Sequence, residues 1–366
     1  MRIAILYISV VFLLIIGLTL LASSLDRNEF SSMPGFSDSG QKSESDINLN
    51  FFERQEKEDE YELTYGWKDF MSNPYCLTFP ISKQQLSLSE REFGYYPEDL
   101  KKYVDEHIEK MKEEMIVYLK EFVTREIAKS KYPQYISIRN ITLKSFGLKL
   151  SASPSHYKEA KSEFKKITDK LAKEQKAYLK KIEKEQKKRS KIFLEEKSLR
   201  VIGKRIAVDY AQCVENNRSR VKHIVKSMRE IKKNFSIYQF LELMLAFIQE
   251  IKFGIPSLEE NNKRILGFWV PLKVLANNFG DCDSKGVTFA SMWINFRRYP
   301  ILLIEIPEHL FVALAIPSIR GEGITIKGLR CTLCEVTGPE KMPPGLITPY
   351  SQFYLKGGQF NYVYVR

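Results

Sequence analysis

The chain has 366 residues, of which 44% are hydrophobic, and 57 lysines and arginines against 45 acidic residues give it a formal net charge of +12. Five cysteines are too few for a disulfide framework in a chain of this length, which excludes the small disulfide-stapled class of proteins. Residues 155–205 alone carry a net charge of +10, so the positive charge belongs mainly to one segment.

The amino-terminal residues predict a membrane segment followed by a tether. Ile3 to Leu25 is an almost unbroken apolar run of roughly twenty residues, long enough to cross a bilayer as a helix. Arg2 before the run and acidic residues after it favour a single-pass anchor with the body outside the cytoplasm, in the periplasm or at the cell surface. A cleaved signal peptide is the alternative. Residues 26–60 are rich in polar and acidic side chains, which predicts a flexible tether.

Residues 61–203 are predicted to form a mixed domain of strands and two long helices. Partial alternation of apolar residues predicts strands in Tyr61–Ser82 and again in Tyr135–Leu150. Between them, residues 97–130 place apolar side chains at steps of three and four, with Pro97 suited to a first helical turn. His107 lies on this apolar stripe, where we expect a partly buried structural role.

The second long helix is predicted over residues 155–199 and holds most of the excess positive charge. We expect its apolar positions to pack antiparallel against the helix of residues 97–130. So basic a segment suggests binding to nucleic acid, anionic lipid or cell-wall polymer. Aromatic residues are too few for base stacking, and the predicted location argues against nucleic acid as a partner. We therefore interpret the segment as a solvated helix face, stabilised by pairs of Glu and Lys side chains on neighbouring turns.

A thiol, an imidazole and a carboxylate follow one another in the last third of the chain. Cys282 lies in Gly-Asp-Cys-Asp before an apolar helical run, His309 opens an apolar strand, and Glu335 lies in Cys-Glu-Val-Thr-Gly. A cysteine nucleophile needs this set, since the imidazole transfers the thiol proton and the carboxylate holds the imidazole's tautomer. Asp281 is the expected N-cap of the helix. The helix amino terminus is expected to lower the pKa of the Cys282 thiol.

Each of these residues also has an ordinary structural interpretation. Cysteine is among the most buried residue types, a lone His in an apolar strand usually completes a core, and Glu335 suits a strand end. Their occurrence together in this order favours catalysis. The backbone N–H of Cys282 is one expected oxyanion donor, and Gln249 and Trp269 are candidates for the second by chain position.

The other cysteines and acidic residues do not predict a metal centre. Cys331 and Cys334 would point to opposite faces of one strand, and no second pair completes four ligands. Cys76 and Cys213 are isolated. Asp281 and Asp283 beside the nucleophile are too few for a calcium site. No metal or other cofactor is therefore expected.

Several motifs in residues 204–366 resemble the transglutaminase-like cysteine peptidase superfamily. They are Phe247–Phe253, Trp269–Leu275, Gly280–Asp283, His309–Val312, Cys334–Gly338 and Pro344–Gly345. The resemblance implies that Cys282 is the nucleophile, His309 the general base and acid, and Glu335 the orienting third member. Glu335 stands where this superfamily more often has Asp, but the longer side chain still reaches a ring nitrogen.

The order of elements in the same region predicts an α+β domain with the nucleophile helix on an antiparallel sheet, and the resemblance implies that this domain is of the papain and transglutaminase type. Helices come first and strands afterwards. The mixed domain with two long helices and the amino-terminal membrane helix precede it. The predicted helices are 206–231, 237–253 and the one beginning at Cys282, and the predicted strands are 301–306, 309–316, 324–330, 332–336 and 360–365.

These features predict a membrane-anchored thiol enzyme that acts on a protein or peptide substrate. Hydrolysis of a peptide or isopeptide bond through an acyl-thioester on Cys282 is the first expectation. Acyl transfer to an amine, which crosslinks proteins, is an alternative that the sequence does not separate from hydrolysis. A scaffold without catalysis that binds peptide or cell-wall polymer is the alternative from another class.

Overall fold

The computed structural model describes residues 50–231, 234–296, 299–316, 323–337 and 341–365. The predicted membrane segment Ile3–Leu25 and most of the predicted tether lie outside these residues. Within the described ranges, no helix combines the length and the apolar character needed to span a bilayer.

The described chain is a mixed α+β structure that begins with an antiparallel sheet of three strands in the order β1-β2-β3. The prediction of a tether through residue 60 is wrong at its end, because Phe51–Glu56 pairs with β2 along its whole length. This edge strand is largely exposed and polar, so its composition looks like that of a tether. The strands are β1 (Phe51–Glu56), β2 (Glu60–Lys68) and β3 (Pro74–Ser82).

Two long helices and a hairpin form an elongated unit, residues 97–196, which we call the arm. Both helices are confirmed close to their predicted bounds, and Pro97 occupies the first turn of the first. His107 is partly exposed and lies 3.5 Å from Glu185, in keeping with a structural role. After α1 (Lys83–Glu92), the arm contains α2 (Pro97–Ala128), β4 (Ile136–Ile141), β5 (Phe146–Leu150) and α3 (Tyr157–Glu196).

The arm has a hydrophobic core of its own. One apolar stripe of α2 packs on one of α3, with both strands of the hairpin against them, as predicted. Leu171 and Ile108 are fully buried there. Most lysines of α3 are exposed on its other side.

The remainder of the described chain, residues 50–95 and 198–365, forms the body. The helix predicted over 206–231 is wrong as a single element, because β7 and two shorter helices occupy it. After the arm, the body continues with β6 (Leu199–Ile202), β7 (Arg205–Val208), α4 (Tyr210–Arg218), α5 (Lys222–Glu230), α6 (Ile237–Glu250), β8 (Lys252–Phe253), β9 (Glu259–Glu260) and β10 (Lys263–Arg264).

The nucleophile helix and a five-stranded antiparallel sheet follow, with strands in the order β14-β15-β13-β12-β16. The boundary predicted between the third and fourth strands is displaced, because the chain turns at Lys327 and Gly328, both with positive φ. The elements are α7 (Pro271–Asn277), β11 (Phe279–Gly280), α8 (Cys282–Phe296), β12 (Ile301–Ile306), β13 (His309–Leu314), β14 (Gly323–Ile326), β15 (Leu329–Cys334), α9 (Pro349–Lys356) and β16 (Asn361–Tyr364).

One core joins the amino-terminal sheet to α8 and the five-stranded sheet. Tyr65 and Trp67 of β2 pack edge-on against Phe247 of α6, with ring centroids 5.0 and 5.2 Å apart. The Tyr65 hydroxyl also donates to the Leu275 carbonyl at 2.6 Å. The predicted boundary at residue 204 is therefore misplaced, since the first sheet belongs to the body and the arm is an insertion in it.

Candidate active site

The candidate nucleophile lies at the first residue of α8. Asp281 caps this helix as predicted, since its side chain accepts from the Ser284 backbone N–H at 2.9 Å. The preceding segment is held by α7, which Asn278 caps in the left-handed conformation, and by the short pairing of β11 with β8. Cys282 is partly buried. The local capping signal is thus enough to place a thiol at a helix amino terminus.

A glycine lets α8 approach the strand that carries His309. An ideal Cβ on Gly286 would lie 2.4 Å from a Leu310 side-chain carbon, closer than real contacts allow. Leu310 follows His309 in β13, and its backbone N–H is hydrogen-bonded to the Cys282 sulfur. The close contact between α8 and β13 therefore brings the Cys282 thiol to Leu310, the residue that follows His309.

His309 and Glu335 meet at one end of the sheet. His309 opens β13 opposite Ile306, across a two-residue turn in which Glu308 has positive φ. Glu335 follows β15, whose Cys334 pairs with Val312. The imidazole Nε2 forms a short hydrogen bond with Glu335 Oε1. A carboxylate partner favours the tautomer with the hydrogen on Nε2, and in that tautomer the lone pair of Nδ1 is left to accept a proton.

The Glu335 side chain is completely buried, and two further hydrogen bonds hold this residue, one to its carboxylate and one to its backbone. Ser351 in the first turn of α9 donates from its hydroxyl to Glu335 Oε2 at 3.2 Å. Gln249 donates to the Glu335 backbone carbonyl at 2.7 Å. Each carboxylate oxygen thus has its own hydrogen-bond donor, which a buried carboxylate requires.

Burial and neighbouring carboxylates control the state of the thiol. Burial raises the pKa of the Cys282 thiol, and Asp283 and Asp281 raise it further. The thiol donates to Asp283 Oδ1 at 3.4 Å, and Tyr210 donates to the other oxygen of that carboxylate. The prediction of a lowered thiol pKa is therefore wrong, because desolvation and two carboxylates outweigh the helix terminus and the Leu310 N–H.

Neither side chain suggested as the second oxyanion donor has a free N–H. The Gln249 amide donates to the carbonyls of Glu335 and Met342, at 2.7 and 2.8 Å. The Trp269 indole donates to Glu260 Oε1 at 2.7 Å. Gln249 instead joins two segments around the candidate carboxylate, and Trp269 braces α8 through its backbone N–H to Ser284.

A buried lysine lies one helical turn after Cys282. Lys285 is 1% exposed and donates to the Ile251 carbonyl at the end of α6, at 2.7 Å. Burial lowers the pKa of Lys285 to about 7, and nearby Glu250 acts in the opposite direction. This cation connects α8 to the helix that also carries Gln249.

The remaining cysteines do not join this site. Cys331 and Cys334 lie in β15 and face different hydrophobic clusters, as their spacing predicts. Cys213 is buried and Cys76 is exposed. Within the described ranges, no group of three or more His, Cys, Asp or Glu side chains is placed to hold a metal ion.

Sequence reasoning singles out Cys282, His309 and Glu335 but misses the residues that surround them. Ser351 is preceded by Thr348-Pro349, a recognisable helix start, yet nothing local connects that helix with Glu335. Tyr210 and Lys285 have no local signal at all. Comparison of the chain with protein-family models, curated proteins and solved structures finds no match.

Proposed function

We propose that this protein is a thiol enzyme of the transglutaminase-like type, which cleaves a peptide or isopeptide bond through an acyl-thioester on Cys282. The contact between His309 Nε2 and the buried Glu335 carboxylate carries the proposal. A fully buried carboxylate is costly to keep, and this one is hydrogen-bonded to the imidazole of His309, whose neighbour Leu310 contacts the Cys282 sulfur. A scaffold that only binds polymer has no need of that arrangement.

In the proposed reaction, the thiol acts as a neutral nucleophile that loses its proton during attack. The thiol turns from Asp283 toward Nδ1 of His309, which takes the proton as sulfur bonds to the acyl carbon. The backbone N–H of Cys282 stabilises the oxyanion. His309 then protonates the leaving nitrogen as the C–N bond breaks, which leaves the acyl-thioester and the free amine.

Deacylation uses the same imidazole in reverse. His309 removes a proton from water, the resulting hydroxyl attacks the thioester, and the proton returns to sulfur as the C–S bond breaks. A primary amine in place of water would give a new amide, which is the transferase alternative. We favour water because it needs no second binding site.

We propose that the reaction takes place outside the cytoplasm, on a body anchored by Ile3–Leu25. The run's length and flanking charges support this location. Two experiments test it. Extraction of isolated membranes shows whether the full chain is anchored, and protease treatment of intact cells or spheroplasts shows on which side of the membrane the body lies. Digestion of the body only after membrane rupture would overturn the extracytoplasmic proposal.

An acyl-donor probe tests the chemistry without knowledge of the natural substrate. We expect p-nitrophenyl acetate to release one equivalent of p-nitrophenolate in a burst and to leave an acetyl group on Cys282, identified by peptide mass spectrometry. Cys282→Ala should abolish the burst, and His309→Ala should slow it by about 10²–10⁴. Excess primary amine then separates the two acceptors, because a transferase yields the amide as main product.

The exposed Cys76 supplies the matched control. Cys76→Ala should retain the full burst, since this thiol has no imidazole partner among the described residues. A burst that survives in Cys282→Ala, or an acetyl group found mainly on another cysteine, would contradict the proposal and favour the binding scaffold.

A further inference from the structure

The outer side of α3 carries a row of lysines that the proposed reaction does not use. At 3.6 residues per turn, they lie about 120–180° around the helix from the buried Leu171, and the row is about 39 Å long. All are exposed. This row, which we call the lysine face, consists of Lys158, Lys165, Lys173, Lys176, Lys180 and Lys184.

None of the lysines of the lysine face forms a salt bridge within the described part of the chain, although Lys180 interacts electrostatically with Glu183. Elsewhere on the helix, Lys170 pairs with Glu126 at 2.5 Å and Lys187 pairs with Glu183 at 2.7 Å. None of the six residues forms such a pair, although Asp169 lies on the same side. Lysines also repeat at four-residue spacing in Lys176–Lys184, where like charges repel. An external negative surface would relieve this repulsion.

The other helix of the arm presents the opposite charge. Exposed carboxylates of α2 include Glu113, Glu114 and Glu121, and α2 has more acidic than basic residues. The positive charge of the arm is therefore concentrated on α3. A flat anionic surface would attract α3 more strongly than α2, which favours binding through the lysine face.

We infer that the lysine face lies on the surface of an anionic phospholipid bilayer. A straight row of lysines fits a flat array of phosphate headgroups, and each lysine near such a surface raises the affinity about fivefold. The apolar run Ile3–Leu25, outside the described residues, would keep the body at a bilayer. If residues 26–49 act as the tether that their composition predicts, a chain of that length would span about 25–30 Å between the bilayer and the start of the body.

Nucleic acid is the competing polyanion, and the arrangement of aromatic residues disfavours it. Phe164 and Tyr178 pack against the core of the arm, so the exposed aromatic residue near the lysine face is Tyr157, at the end of the row beside Lys158. Single-stranded nucleic acid is normally bound by aromatic stacking beside basic residues.

Lysine footprinting on the full-length chain tests the inference. The protein is reconstituted into vesicles of neutral phosphatidylcholine, or of phosphatidylcholine mixed with anionic phosphatidylglycerol, and lysine acylation is followed by mass spectrometry. We expect the lysine face to react at least about fivefold more slowly in anionic vesicles, with recovery at high salt. Lys101 and Lys102 of α2 should react equally in both.

A charge variant and a matched control make the test specific. Replacing Lys165, Lys173, Lys176 and Lys180 by Gln should remove the protection of Lys158 and Lys184. The same change at Lys101, Lys102, Lys110 and Lys120 of α2 alters net charge equally and should leave it intact. Circular dichroism checks that both variants keep their helices. Equal labelling in both vesicle types, or protection by duplex DNA but not by anionic vesicles, would overturn the inference.

Discussion

The body and the arm differ in where their charged side chains lie. In the body, Glu335 and Lys285 are almost entirely buried, and each has a specific hydrogen-bond partner. In the arm, charged residues lie mainly in water, and pairs such as Lys170 with Glu126 lie at its surface. Charge interactions are stronger where water is excluded, so single groups matter in the body and arrays of charge matter in the arm.

Replacing the buried carboxylate should have the largest effect. Glu335→Gln keeps the size of the side chain but cannot supply the negative charge that favours the imidazolium, so we expect the acylation burst to slow by about 10²–10⁴. The matched change in the arm is Glu185→Gln, which removes a surface partner of Arg189 and should leave the burst unchanged. Equal burst rates for Glu335→Gln and wild type would remove Glu335 from the mechanism.

The buried lysine should make stability depend on pH. Its pKa falls from 10.5 to about 7 on folding, so the unfolded chain binds more protons between these values. The contribution of Lys285 to the free energy of unfolding should therefore rise with pH across that window, by a few kcal/mol in total. Urea denaturation of Lys285→Met should lack this rise. Lys173→Met, at an exposed arm position, should behave like wild type, and parallel pH profiles for all three proteins would refute the assignment.

The glycine at the helix–strand contact should tolerate a bulky side chain poorly. Gly286→Val would displace the buried Leu310 side chain between α8 and β13, and we expect a loss of about 1–3 kcal/mol in stability. Ala177→Val on the exposed side of α3 carries only the lower helix propensity of valine, at most about 0.7 kcal/mol. Denaturation midpoints of the two variants compare packing in the body with propensity in the arm. A Gly286→Val protein as stable as Ala177→Val would show that the contact is loose.

The carboxylate beside the thiol should restrain its reactivity. Asp283→Asn removes a negative charge that raises the pKa of Cys282, so the thiolate should form at lower pH and alkylation by iodoacetamide should be faster near neutrality. The pH dependence of the alkylation rate measures the change. Asp169→Asn on α3 should have no effect. Slower alkylation of Asp283→Asn would mean that the carboxylate positions the thiol more than it opposes ionisation.

A surface ion pair of the arm should have the smallest effect. Lys170→Ala removes a partner whose side chain is 60% exposed, and Glu126 keeps Lys129 as a second partner, so we expect a loss of at most about 1 kcal/mol in stability. Leu171→Ala, one residue later in the arm core, should destabilise by about 2–5 kcal/mol. A clear loss in Lys170→Ala would show that surface charge holds the arm together.

Periodicity predicted the arm better than it predicted the body. A helical stripe repeats every three or four residues, so residues 97–130 and 155–199 reveal both long helices almost to their ends. Strand β1 was not predicted, because an edge strand is held by backbone hydrogen bonds and needs no apolar pattern. The prediction of a single helix over residues 206–231 is wrong, because the apolar residues of a short strand and two short helices happen to fall at helical spacing.

The sequence alone determined the helices of the arm, the cap of α8 and the chain positions of Cys282, His309 and Glu335, because these signals are local. Tertiary structure decided that the first sheet shares the core of the body, that Ser351 holds Glu335, and that the resting thiol has a raised pKa. Those outcomes depend on burial and on contacts between distant segments. Only folding removes water and brings such segments together.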